Sequence, residues 1–145
     1  MMHEGVFLRK KRDGYLLTEI ENIYRDNLEA WFGKYCYINS QVSLGQLIDF
    51  PEQAHFSYEE RKRFFAIFNG MAMDYVLVSI KTNKIVCVIE LNDLSHDIPE
   101  RTERDRKLSA LMKASEIPFM SINIDQINSE PDIWTERKNT LSRFN

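Results

Sequence analysis

"MDYVLVSIKTNKIVCVIELNDLSH", Met73 to His96, is the stretch whose reading decides the fold. It holds two apolar runs, "MDYVLVSI" and "KIVCVIEL", rich in β-branched residues and joined at "KTN". Such a pattern reads as a β-hairpin. With a three-residue loop centred on Thr82, Asp74 pairs with Glu90, Val76 with Val88 and Val78 with Val86, and directly opposed residues share a sheet face. Val76, Val78, Val86 and Val88 then line one face, and Tyr75, Leu77, Cys87 and Ile89 the other. Strands apolar on both faces are central strands, covered on both sides. The second run ends abruptly in Glu90, Asn92, Asp93, Ser95 and His96.

This register sets two carboxylates side by side at the open end of the hairpin. On a covered sheet they repel each other, and desolvation raises the cost. A bound divalent cation relieves both, and Mg²⁺ is commonly held by one or two carboxylates, with water and substrate phosphate completing its shell. The alternative is that both groups reach solvent at the strand ends. His96 reads as a metal ligand, a general acid or base, or a turn histidine bonded to backbone.

Upstream, "TEIE" is a capping-box pattern that starts a helix at Thr18. Ile20, Ile23, Tyr24, Leu28, Trp31 and Phe32 recur at helical spacing, and Gly33 is the stop. Glu21 falls inside the apolar arc, which would turn its carboxylate towards the sheet; the capping box accounts for it equally. "YCYINSQVSL" reads as extended, residues 45 to 56 as irregular, and "SYEERKRFFAIF" as a second helix capped by Ser57. Downstream, a third helix is expected from Pro99 to Ser115, then the strand "IPFMSINI", then a short tail helix using Trp134 to cover an edge. Asp105 shares a helical face with Leu108 and Met112 and points inward, unless it pairs with Arg101 one turn earlier. The order α-β-(α)-β-β-α-β defines an α/β fold, a mixed central sheet flanked by helices. The helical crossover lets the third and last strands run parallel as neighbours or near-neighbours.

The chain of 145 residues suits one core. Residues 1–14 read as a charged, poorly ordered arm and 15–145 as a single domain. No apolar run approaches a membrane span, and no apolar stretch follows the N-terminal charges as in a secretory signal, so a cytoplasmic protein is expected. Cys36 and Cys87 make no disulfide framework, and Cys87, inside an apolar run, reads as a buried reduced thiol. The net charge of −3 excludes a globally basic nucleic-acid binder. Its positive charge is clustered, however, in Arg9–Arg12, Arg61–Arg63 and Arg101, Arg104, Arg106 and Lys107, and clusters can bind phosphate on an acidic protein.

"LLTEIENIY", "MDYVLV", "IELNDLSH", "ERDRKLSAL" and "IPFMSI", in this order over residues 15 to 125, resemble a bacterial family of domains of unknown function, family 2726. That family is in turn similar to the PD-(D/E)xK nucleases, with their restriction-endonuclease-like core. The resemblance implies a nuclease-like domain in which Asp74 and Glu90 hold Mg²⁺ or Mn²⁺, and it adds Glu21, Asn92, His96 and Asp105 to the catalytic set. The family usually carries aspartate at position 92, and the lysine that normally follows the acidic residue by two positions is also missing there. Lys107 and Lys84 are the candidate replacements.

The expected function is therefore a divalent-metal-dependent nuclease hydrolysing phosphodiester bonds, with DNA as the first substrate and Arg101, Arg104 and Lys107 on its backbone. The alternative is a degenerate module that binds nucleic acid or a protein partner without cutting, for example in a mobile-element or defence system. A structural partner in a larger complex and a homodimer stay open. No membrane partner is expected.

Overall fold

The computed structural model describes residues 8–49, 55–92 and 99–142. Its elements are α1 (Glu19–Phe32), β1 (Cys36–Ser43), α2 (Tyr58–Asn69), β2 (Ala72–Ser79), β3 (Ile85–Asn92), α3 (Pro99–Ala114), β4 (Phe119–Asn123) and α4 (Ile133–Ser142). The four strands form one mixed sheet in the order β1-β2-β3-β4. β1–β2 and β2–β3 are antiparallel, and β3–β4 is parallel through the α3 crossover, as the connection length requires.

Local chemistry sets the helix starts. Thr18 accepts the Glu21 N–H, and the Glu21 carboxylate accepts the Thr18 N–H, so the capping box of α1 is complete. Ser57 and Glu60 repeat the device at α2. Ahead of α1, Lys11–Gly14 form a 3-10 turn with Arg12, Asp13 and Gly14 all at positive φ.

Both sheet faces are covered. One carries Tyr24, Leu28 and Phe32 of α1 and Ile133 of α4 against Tyr75, Leu77, Val86, Cys87 and Ile89. The other carries Phe68 of α2 and Leu108 and Met112 of α3, with Leu44, against Met73, Val76 and Val88. The result is a three-layer α/β arrangement in which β2 and β3 form the buried centre.

Three expectations are corrected. The hairpin loop spans five residues, 80–84, with Asn83 in the left-handed region, and Ser79 N–H donates to the Lys84 carbonyl. A bulge between Leu77 and Val78 absorbs the change, so Val78 pairs with Ile85 rather than Val86. Val86 consequently joins the α1 face, because the extra residue of a bulge reverses the side-chain alternation. Beyond the bulge the pairing is the expected one, with Val76 opposite Val88 and Tyr75 opposite Ile89. In the tail, Ile133 is the buried anchor, and α4 packs on β3 and on the edge strand β4. Trp134 stays about half exposed and meets Phe32 and Tyr35 edge to face.

Candidate functional site

β2 and β3 bring Asp74 and Glu90 together at one end of the sheet. Extending the register by one residue past Tyr75 and Ile89 sets them opposite each other. Each is held by the main chain of the other strand. Asp74 N–H donates to Glu90 Oε1 at 2.6 Å, and Leu91 N–H donates to Asp74 Oδ2 at 2.8 Å. Gln41 of β1 reaches Asp74 Oδ1 with its amide nitrogen at 3.4 Å. Gln41 has φ 55 and is passed over in the β1–β2 register, which runs Ser40–Tyr75 and Val42–Met73.

Glu90 is 8% exposed and, among the described residues, the only acidic side chain in the buried class. It opens onto a hollow of about 190 Å³ that it lines with Asn92 of β3, Phe119 and Ser121 of β4, and Asp105, Leu108 and Ser109 of α3. The parallel pairing sets Glu90 beside Ser121. Helical spacing on α3 puts Asp105, Leu108, Ser109 and Met112 on the sheet-facing side. Asn92 donates its side-chain N–H to Ser121 Oγ, which leaves the amide oxygen as its accepting or coordinating atom. Carboxylate, amide and hydroxyl oxygens are the donor set that suits a small hard divalent cation. Among the described residues no group of three or more His, Cys, Asp or Glu side chains gathers at a metal-binding arrangement.

The two acids expected as the metal pair thus stand side by side, and of the two only Glu90 lines the hollow. Glu90 faces the hollow with Asp105, whereas Asp74, opposite Glu90 on β2, is not among its lining residues and is tied to β1 and β3. Glu21 spends a carboxylate oxygen on the Thr18 N–H, and its carbonyl accepts the Tyr75 hydroxyl at 2.5 Å. His96 lies outside the described residues, as do the side chains of Arg101 and Arg104. Lys107 is exposed on α3 and does not line the hollow. Lys84 is excluded as its lysine: it precedes β3 at the far end, six residues and roughly 20 Å of strand from Glu90.

Burial also shapes the layer behind the site. Tyr75 is held well above the ordinary phenol range by desolvation and then by the charges of Asp74 and Glu21. Tyr24 is raised by desolvation and by Cys87. Cys87, a free thiol, is pushed up to about 12 by burial, with Glu136 and Cys36 adding to it. Buried thiols of this kind are unreactive core residues.

Gln41, Ser109 and Ser121 were not singled out from sequence. The one available signal was polar character inside otherwise extended or helical runs, which ordinary surface positions share.

The fold and site define a class: a three-layer α/β protein with an oxygen-lined hollow at the end of its central strands. A family model described as "Protein of unknown function (DUF2726)" matches residues 13–136, and the chain belongs to that family. No curated protein and no solved structure matches it. No helix among the described residues is long and apolar enough to cross a membrane.

Proposed function

We propose that this chain is a divalent-metal-dependent nuclease with a restriction-endonuclease-like core, acting on DNA. The observation that carries the reading is Glu90: a buried carboxylate at the end of a central strand, facing a hollow ringed by oxygen donors and backed by Asp74. Burying a carboxylate is costly unless its charge is met by hydrogen bonds or a cation. The strand order, antiparallel through β3 and parallel at β4, adds support, because it is the mixed sheet that the family resemblance implied.

Glu90, Asn92 and Asp105 would hold Mg²⁺ or Mn²⁺ on the α3 side of the sheet, with Asp74 completing the pair beside Glu90. The ion, when bound, supplies charge stabilisation at a phosphodiester oxygen and acidifies a water. The protein's own part is positional. The Asp74 N–H fixes one Glu90 oxygen, and the Leu91 N–H fixes one Asp74 oxygen, so neither carboxylate has to be ordered when substrate arrives. Arg101, Arg104 and Lys107, on the helix that carries Asp105, are the proposed backbone contacts.

The test is cleavage of single- and double-stranded DNA with Mg²⁺ or Mn²⁺. The wild type should cut, and Asp74→Ala and Glu90→Ala should not; equal behaviour of all three sinks the proposal.

One observation favours a second reading. Position 92 is an amide engaged with Ser121, and no lysine is among the described residues lining the hollow. A module that binds nucleic acid or a protein partner without cutting fits that chemistry. In this case, nucleic-acid affinity should ignore the metal and fall steeply with salt.

A further inference from the structure

A second hollow, of about 590 Å³, lies where the chain enters α1. Arg12, Tyr15, Leu16, Glu19, Asn22 and Arg25 are among the residues that line it. The left-handed run Arg12-Asp13-Gly14 turns the chain, with Tyr15 N–H donating to the Arg12 carbonyl, so Arg12 and Tyr15 both front the hollow. Tyr15 is 74% exposed, so its ring face is open to solvent beside the two arginines. The Arg25 guanidinium is steadied by the Asn22 side chain at 2.9 Å. Glu19 is the lining acid, and Arg9, Lys10 and Lys11 lie exposed just before the turn.

We infer that this hollow takes one nucleotide unit of a single-stranded nucleic acid, with its phosphate on Arg12 and Arg25 and its base on the Tyr15 ring. Two guanidiniums suit a phosphate, and an open ring stacks only on a base that is free of a duplex. Glu19 and Asn22 supply an acceptor and an amide for a base edge. The volume falls in the range of small-ligand sites.

The hollow also sits at the right end of the molecule. Glu21, one turn into α1, accepts the Tyr75 hydroxyl, and Tyr75 is the neighbour of Asp74. A strand seated here lies at the same end of the sheet as Glu90 but on the α1 side, the face opposite the one that α3 covers. The inference rests on the nucleic-acid reading above and extends it to substrate form: an unpaired segment held at the Glu90 end of the sheet, across the sheet from the cutting site.

The test is fluorescence anisotropy with the full chain in EDTA, using a labelled single strand of about a dozen nucleotides and the matching duplex. The wild type should bind the single strand more tightly than the duplex. Tyr15→Ala, and separately the double change Arg12→Ala with Arg25→Ala, should weaken binding roughly five- to thirty-fold. The arginine pair should also flatten the log–log salt slope by about 1.4. Tyr15→Trp should keep binding and add a fluorescence quench that the parent lacks. Circular dichroism should match the wild type throughout, since these side chains are surface groups.

Wild-type affinity in the variants, a preference for duplex, or no binding of any oligonucleotide overturns the inference. EDTA silences metal-dependent cleavage, so failure here alongside intact cleavage retires the hollow alone. Intact binding without cleavage retires the nuclease instead.

Discussion

Asp74 and Glu90 are cross-tied: the Asp74 N–H is bound by the Glu90 carboxylate, and the Asp74 carboxylate is bound by the N–H of Leu91, the residue after Glu90. The two acids thus replace ordinary ladder bonds at the open end of the β2–β3 hairpin. Each carboxylate meets an amide dipole, which offsets part of the repulsion between them. The same bonds close the strand ends and aim Glu90 at the α3 side.

Glu90 should therefore separate stability from chemistry. Glu90→Gln keeps an oxygen for the Asp74 N–H and should stay within about 1 kcal/mol of wild type in urea unfolding while losing cleavage. Glu90→Ala orphans that N–H and should cost about 1–3 kcal/mol as well. If Gln destabilises as much as Ala, the bond from Asp74 is not what the glutamate contributes.

Gln41 carries a backbone cost. A side chain at φ 55 costs about 1 kcal/mol that glycine does not incur. Gln41→Gly and Gln41→Ala both lose the bond to Asp74, so their difference isolates the backbone. The glycine variant should be the more stable by about 1 kcal/mol, read from urea midpoints. Equal midpoints would show that the residue relaxes out of the left-handed region.

Glu21 is committed to its helix. Glutamine serves the capping box as well as glutamate does, so Glu21→Gln should change stability by only a few tenths of a kcal/mol, whereas Thr18→Ala should cost about 1 kcal/mol. Cleavage by Glu21→Gln should match wild type, because the carboxylate is engaged with Thr18. A tenfold or greater loss of rate would put that carboxylate in the metal shell.

Alkaline pH should unfold the protein. Cys87 and Tyr75 both have folded-state pKa values raised above their unfolded values, so each favours the protonated, folded form. Their contribution is fully present below the unfolded pKa. It is lost for Cys87 as pH climbs from the ordinary thiol value of 9.0 to about 12, and for Tyr75 above 10.0. The unfolding free energy from urea titrations should be level at neutral pH and fall above pH 9, with a slope of at most about 1.4 kcal/mol per pH unit per group. Cys87→Ala should remove the part of the decline that begins first; an unchanged profile would assign that decline elsewhere.

Much of the architecture was legible from local pattern. Thr18 and Glu21 marked α1 because a capping box is a contact between residues three apart. The alternating and continuous apolar runs marked β2 and β3 because both their faces are buried. The bulge was not legible: Val86 changed faces because of the turn geometry around Asn83, and a valine satisfies either face. Nor was Gln41 legible, since its role depends on a backbone angle and a neighbour 33 positions away.

The sequence by itself determined which segments form helices and strands, and that central strands end in acids, because hydrophobic period and capping act within a few residues. Only the tertiary structure decided what surrounds those acids. The α3 crossover lays β4 parallel to β3 and brings Asp105 to the hollow that Glu90 lines, while Gln41 of β1 bonds Asp74. Those pairings join residues far apart in the chain, and their register is set by core packing on two faces at once. No local pattern carries that information.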